Sequence, residues 1–399
     1  MSAPKPLRIL HVILNLERAG AQEVVRTLAE YQRAQGCQVL VCALRDGPLR
    51  SDIEKVGARV VIIPRMSSTP WPLRSLRYPA HLCRELAKIV RKYDIVILQT
   101  HLLKALDFAA LNVCRHTNLG AVFWMIHNVD FLPIASCPWL TILKQQFQRW
   151  RYRLNAYRVD GFIAVSDQVR EAILHEVGPI DSAVHAIANG VDVRRFEVSG
   201  NRAALCADLN LPSDAYLFAT IGRLTEQKGH CHLIKAARDV VAAHPCAHFL
   251  LIGDGELRAT LTAQAATAGI AQHVHFLGVQ SDIPALLASV DAFVLPSLWE
   301  GLSIALLEAM AAAKPTIATA VSGTVDVLKD GVTGRVIPPG DSTALVAAMT
   351  QFITDSDTAR ELGRAAKTHV VAHYSAQIQA DRHLALYQQT IDRKEIENA

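Results

Sequence analysis

Two carboxylates and two cations carry the chemistry this sequence offers. Glu300 and Glu308 stand eight residues apart within Pro296-Ser297-Leu298-Trp299-Glu300-Gly301-Leu302-Ser303-Ile304-Ala305-Leu306-Leu307-Glu308-Ala309-Met310-Ala311. A short apolar run, Ala292 to Leu295, leads into this stretch and reads as a strand; the chain breaks at Gly301 and restarts as a helix near Ser303. A strand, a glycine turn and a helix start make a site for phosphate, because first-turn amides have no partners inside the helix. An ionised carboxylate only accepts hydrogen bonds, so the two acids beside that turn suit hydroxyl-rich groups. Phosphate with many hydroxyls describes a nucleotide sugar. Arg223 and Lys228 follow another apolar run, Tyr216 to Ile221. A nucleoside diphosphate leaving a sugar would gain negative charge, and a fixed guanidinium and ammonium there would stabilise that transition state more than the ground state. The bland alternatives are a surface pair at a strand end for the cations and a helix-start acid held by the dipole alone for Glu308.

The elements that must position these residues come in two alternating series. Leu7 to Leu14 reads as a buried strand, a turn containing Gly20 follows, and Glu23 to Gln35 has helical periodicity stopped at Gly36. Further strands are expected at 38–43, 60–63, 95–98, 121–126, 162–165 and 185–188, with amphipathic segments between most of them. After the turn Asn189-Gly190-Val191-Asp192 and a polar segment, a second series runs through 216–221, 248–252, 274–277, 292–295, 316–318 and 335–337. Strand alternating with helix implies parallel sheets covered on both faces. The expectation is an α/β protein of two Rossmann-like, doubly wound domains, 1–198 and 199–376, facing across a cleft. The last helix, from about 377, has no strand after it.

At 399 residues the chain is too long for one ordinary core. Its 51 % hydrophobic and 20 % charged content is that of a globular protein, and no run of 18 apolar residues is present to span a membrane. The start, Met-Ser-Ala-Pro-Lys-Pro, lacks the apolar core of a signal peptide. Eight cysteines without a Cys-x-x-Cys pair fit reduced thiols in a cytoplasmic protein. The net charge of +4 is uneven: residues 1–200 hold 26 Lys and Arg against 17 Asp and Glu. A basic first half suggests an anionic partner, a membrane surface or a phosphorylated acceptor, set against a merely solvated surface; nothing points to nucleic acid.

The order Gly222-Arg223-Leu224 with Lys228-Gly229, Gly253-Asp254-Gly255-Glu256, Phe276-Leu277-Gly278, Glu300-x7-Glu308 and Gly340-Asp341 resembles the family 4 glycosyltransferases of the GT-B fold. Ala19-Gly20, Thr100-His101, His127, Val165-Ser166 and Asn189-Gly190-Val191-Asp192 extend the likeness over nearly the whole chain. The resemblance implies retaining, metal-independent transfer of a hexose or N-acetylhexosamine from a nucleotide sugar, with a UDP-sugar the expected donor and no cofactor. The acceptor would be a glycan, a lipid-linked or a phosphorylated one, in envelope or exopolysaccharide synthesis. It further implies that Arg223 and Lys228 contact the diphosphate, Glu308 the ribose and Glu300 the donor sugar. Gly301, Leu302 and Ser303 would offer amides, and His127 would bond the sugar near the reacting carbon. Gly20 would let backbone approach a phosphate or acceptor closely. Gly222, Gly253 and Gly278 would line the nucleotide, and the last helix would cross back to the first domain. Ser303 and Ala305 stand where the family more often has Gly and Pro, which bears on donor-sugar preference.

Gly253-x-Gly255 lacks the third glycine of a dinucleotide fingerprint. His230-Cys231-His232 and His244-x-Cys246-x-His248 fit no structural zinc spacing, and Asp355-Ser356-Asp357 reads as a helix end. Residues 141–158 hold Lys144, Arg149, Arg151, Arg153 and Arg158 without an acid, and Leu143, Phe147, Trp150, Leu154 and Tyr157 recur at helical spacing. Such a helix can lie on an anionic bilayer at the inner face of the cell membrane; the alternative is that its apolar stripe packs on the sheet. Other chemistries of the same fold, a sugar-nucleotide epimerase or a phosphorylase, and a binding module without turnover stay open at this point.

Overall fold

The computed structural model describes residues 6–63, 73–101, 104–114, 117, 119–128, 138–178 and 184–397. The chain forms two compact units, 1–189 with 376–399, and 190–375.

In the first unit the chain runs β1 (Arg8–Asn15), α1 (Gly20–Ala34), β2 (Gln38–Arg45), α2 (Leu49–Lys55), β3 (Arg59–Ile62), α3 (Leu73–Lys92), β4 (Ile97–His101), α4 (Lys104–Cys114), β5 (Ala121–Ile126), α5 (Pro138–Ala156), β6 (Gly161–Ala164), α6 (Asp167–Val177) and β7 (Val184–Ala186). The strands form one parallel sheet in the order β3-β2-β1-β4-β5-β6-β7. Strands buried on both faces must be apolar throughout, and β5, Ala-Val-Phe-Trp-Met-Ile, is buried at every position. Trp124 packs edge-on against Tyr152 of α5 and Phe162 of β6. Ser166 caps α6 by accepting from Val169 N at 3.2 Å.

The second unit continues through a 3-10 turn at Val193–Phe196, α7 (Arg202–Asp208), β8 (Tyr216–Ile221), a 3-10 turn at Glu226–Lys228, α8 (His230–Ala243), β9 (Ala247–Ile252), α9 (Arg258–Thr267), β10 (Val274–Gly278), α10 (Ile283–Ser289), β11 (Ala292–Leu295), α11 (Ile304–Ala311), β12 (Thr316–Thr319), α12 (Thr324–Val327), β13 (Arg335–Ile337), α13 (Ser342–Thr354) and α14 (Ser356–His373). Its parallel sheet has the order β10-β9-β8-β11-β12-β13. Phe218, Phe249 and Phe352 are fully buried in its core. Asp282, Asp341 and Asp355 cap α10, α13 and α14 through their carboxylates.

The chain leaves the first unit after Asn189, whereas the sequence reading puts a boundary near 198. The turn at Val193–Phe196 packs on α10 and α11, and its Phe196 is buried, which ties those residues to the second unit. The last helix, α15 (Ala376–Glu397), belongs to the first unit, where it packs on α1 and β5.

Candidate functional site

In the second unit β8 and β11 are neighbours, and the strand order reverses between them. Loops leaving the C-terminal ends of strands at such a reversal are where open α/β sheets bind ligands. Arg223, Lys228 and Glu300 lie on these loops, and Glu308 lies in α11, which follows the loop after β11. Lys228 ends the turn after β8, and its Nζ donates to Glu300 Oε1 at 2.5 Å. Ser297 Oγ donates to the same oxygen at 2.7 Å. Thr319, at the end of β12, donates its hydroxyl to the Ser297 carbonyl at 2.5 Å. Glu300 is only 5 % exposed. A carboxylate so buried costs several kcal/mol unless paired and hydrogen-bonded, and Lys228 and Ser297 supply both. Both contacts fall on Oε1, so Oε2 remains to accept from a hydroxyl, and an ammonium with three donors keeps others for an anion.

Backbone contacts hold the two loops together. Leu298 N donates to Gln227 O at 2.8 Å, and Gln227 Nε2 donates to Trp299 O at 3.0 Å. Two glycines make the close approach feasible. A Cβ on Gly229, at φ +61°, would lie 2.0 Å from Pro296 O; one on Gly323, at φ +69°, would lie 1.8 Å from Gly301 O. Ser303 is the N-cap of α11 in an extended conformation, and its side chain makes no capping hydrogen bond. Gly301, Leu302 and Ser303, which lead into α11, are buried, and Glu308 is half-buried one turn into that helix. Arg223 is exposed and makes no ion pair among the described residues. Gly222, Gly253 and Gly278 close the ends of β8, β9 and β10: Gly222 N donates to Ile252 O at 2.9 Å, and Gly253 N to Gly278 O at 2.8 Å.

In the first unit Gly20 is the exposed first residue of α1, with Ala19 as N-cap, and not part of the preceding loop. Glycine at the first helical position leaves the α1 hydrogen bonds intact, so the helix starts before the apolar periodicity does. His127 follows β5, and its Nε2 lies 3.1 Å from His101 Nδ1. Burial pushes the His127 imidazole down to about 3 and the His11 imidazole to about 4, the latter opposed by its bond to Gln32.

His230, Cys231 and His232 form the first turn of α8, and among the described residues no group of three or more His, Cys, Asp and Glu could hold a metal ion. Asp355 joins α13 to α14 as a helix cap. In the basic helix α5 the aromatic stripe does not pack on the sheet. Phe147, Trp150, Leu154 and Tyr157 are 56, 55, 47 and 79 % exposed, while Tyr152 and Ala156 point inward. Arg149 donates to Glu176 at 2.7 Å, and the Arg151 guanidinium sits 4.0 Å over the Phe108 ring. The side chains of Leu143 and Lys144 lie outside the described residues. No helix among the described residues is long and apolar enough to cross a membrane.

Sequence reasoning missed Ser297, Thr319 and Gln227, whose signal is faint: small or polar residues at a strand end or in the loop beyond one. It missed His11 too, although a histidine inside Arg-Ile-Leu-His-Val-Ile-Leu-Asn breaks an otherwise apolar strand.

Comparison with known proteins gives the family. The family model described as Glycosyltransferase Family 4 matches residues 18–195, and that described as Glycosyl transferases group 1 matches 201–369. The chain is 25 % identical over 393 residues to the Escherichia coli UDP-Gal:alpha-D-GlcNAc-diphosphoundecaprenol alpha-1,3-galactosyltransferase, covering 97 % of this chain and 98 % of that one. It is 28 % identical over 375 residues to the phosphatidyl-myo-inositol mannosyltransferase of Mycobacterium leprae, covering 92 % of each. Among solved structures, Anabaena HepE in complex with UDP and glucose superposes with a TM-score of 0.78 at 19 % identity, over 98 % of this chain and 99 % of that one. Two parallel α/β units, the reversal-point loops and these matches place the chain in glycosyltransferase family 4, with the GT-B fold and a sugar-transferring activity.

Proposed function

We propose that this enzyme transfers a hexose or N-acetylhexosamine, with retention, from a UDP-sugar to a lipid-linked, phosphate-bearing glycan acceptor. The observation that carries the reading is the Lys228–Glu300 pair, fixed at the strand reversal beside an uncapped helix start. The acceptor hydroxyl oxygen bonds to the anomeric carbon on the face from which UDP leaves. The bond from that carbon to the β-phosphate oxygen breaks, and the hydroxyl proton passes to the departing phosphate. Lys228 and Arg223 meet the charge that develops, so the step needs no metal ion. Glu300 accepts from donor-sugar hydroxyls and Glu308 from the ribose. The amides of Gly301, Leu302 and Ser303 face sugar and phosphate, and Gly222, Gly253 and Gly278 flank the nucleotide. For the first unit, the family resemblance gives His127 a sugar hydroxyl to bond and Gly20 the close approach of backbone.

Three facts support the acceptor class. The Escherichia coli relative is named for a diphosphoundecaprenol substrate and the Mycobacterium leprae relative for a phosphatidylinositol. Residues 1–200 carry an excess of cations. The exposed aromatic stripe of α5 lies among arginines, as on helices that rest on anionic bilayers. The reading places the enzyme at the inner face of the cytoplasmic membrane, in envelope or exopolysaccharide assembly, with no nucleic-acid partner.

The test incubates the purified protein with UDP-glucose, UDP-galactose or UDP-N-acetylglucosamine and a polyprenyl-diphosphate-linked sugar, without added metal and with chelator. Mass spectrometry should show the acceptor gaining one sugar, and NMR should show the donor's anomeric configuration kept. A converted donor without transfer would indicate an epimerase. Sugar phosphate formed from inorganic phosphate would indicate a phosphorylase. Either result, or inversion, contradicts the reading.

A further inference from the structure

Three histidines of the first unit form one hydrogen-bonded row. His11 of β1 pairs in register with Gln99 of β4, and His101 of β4 with Met125 of β5. Side chains two apart in a strand share a face, which puts Gln99 and His101 on the side of their neighbours His11 and Met125. Gln32 of α1 and Tyr387 of α15 meet them there. His11 Nε2 lies 2.8 Å from Gln32 Oε1, His11 Nδ1 lies 3.1 Å from His101 Nε2, and His101 Nδ1 lies 3.1 Å from His127 Nε2. Tyr387 donates its hydroxyl to Gln99 Oε1, and the Gln99 amide nitrogen lies 3.2 Å from Met125 Sδ and 3.3 Å from His101 Nε2.

A neutral imidazole donates at one nitrogen and accepts at the other. In a row of three, one end therefore decides every ring. The Gln32 amide is oriented with Oε1 toward His11, and in that orientation it only accepts, so His11 carries its proton on Nε2 and accepts at Nδ1. His101 then donates from Nε2 and accepts at Nδ1, and His127 donates from Nε2. The opposite arrangement would aim the His11 Nε2 lone pair at the Gln32 oxygen. It would also set His11 and Gln99 competing for one lone pair on His101. It gains only the longest contact, at 3.3 Å, for which Gln99 already has the Met125 sulfur.

We propose that Gln32, His11 and His101 are positioning residues that fix the tautomer of His127, leaving its Nδ1 as a lone-pair acceptor for a substrate hydroxyl and not as a donor. The use of that acceptor rests on the donor-sugar role given to His127 above; the tautomer itself does not. Burial holds His101 well below the ordinary imidazole range, with His11, His127 and His383 adding in the same sense. His383 of α15, which faces the row, bonds through Nδ1 to Gln379 O at 2.9 Å, and burial holds it near 4. The row is thus neutral near neutral pH, and tautomer, not charge, is what its far end controls.

Long-range proton–nitrogen NMR on the full chain labelled with 15N-histidine reads tautomers directly, with His127→Gln assigning that ring. The expected spectrum shows His11, His101 and His127 protonated on Nε2. In Gln32→Leu the His127 signal should become a tautomer mixture, and KM for the nucleotide sugar should rise roughly tenfold with kcat changed much less. A proton on Nδ1 of His127 in the unsubstituted protein overturns the proposal. So does a folded Gln32→Leu protein with an unaltered tautomer. If that variant does not fold, the spectrum of the unsubstituted chain still decides, and it does so whether or not sugar transfer is found.

Discussion

Lys228 and Arg223 are both cations on the loop after β8, yet they stand in different states. Lys228 is half-buried and committed to Glu300, while Arg223 is exposed and without an ion pair among the described residues. The two substitutions should therefore separate catalysis from stability. Arg223→Ala should lower turnover by roughly 10²–10³, the usual loss for one donor aimed at developing charge, with the melting temperature within about a degree of the parent. Lys228→Met leaves a buried carboxylate without its counter-charge and should cost stability as well, on the order of 2–4 kcal/mol. Steady-state kinetics and thermal melts of both variants check this, and an Arg223→Ala enzyme at full rate would remove that residue from the mechanism. The meeting of Lys228 with Glu300 was legible because both follow apolar runs that read as strands, and strand C-terminal ends gather such residues. Ser297 and Thr319 were not, since a hydroxyl that bonds a carboxylate or a loop carbonyl leaves no spacing rule in the sequence.

At the scale of elements, strands buried on both faces write themselves into a sequence as apolar runs, and every run read as a strand corresponds to one of β1 to β13. Helix faces are less legible. The stripe of α5 has the same periodicity whether it meets a sheet or solvent, and only the fold shows that Tyr152 takes the inner side. The start of α1 was likewise hidden, because Gly20 and Ala19 carry no capping side chain to announce it. The exposed stripe gives a direct expectation. The protein should co-sediment with vesicles containing anionic phosphatidylglycerol, less so as salt rises. Replacing Phe147 and Trp150 together by Ser should weaken that binding by about tenfold or more, since two large apolar side chains are removed from the bilayer interface. Binding that ignores both salt and the double substitution would rule out α5 as the contact.

For the whole molecule, both units bury neutral histidines: burial brings His11, His383, His230 and His248 to about 4 and His127 to about 3, from an ordinary 6.5. In each case the unfolded chain binds a proton at a higher pH than the folded one. Stability from these groups is fully present above about pH 6.5 and is lost as pH falls through the window from there to about 4. Thermal melts between pH 8 and pH 4.5 should show a level upper range and a steep fall below about 6.5. A melting temperature that does not move down to pH 5 would mean these rings are solvated.

Thermal shift with ligand asks whether the Lys228–Glu300 pair at the β8/β11 reversal seats a nucleoside diphosphate. A ligand that binds only the folded state raises the melting temperature with its concentration. UDP should stabilise the parent protein in a concentration-dependent way without metal, and that shift should be lost or greatly reduced in Lys228→Met measured against its own ligand-free baseline. Equal UDP-induced shifts in the two proteins, or none with any nucleoside diphosphate in the parent, would mean that this pair does not seat the diphosphate.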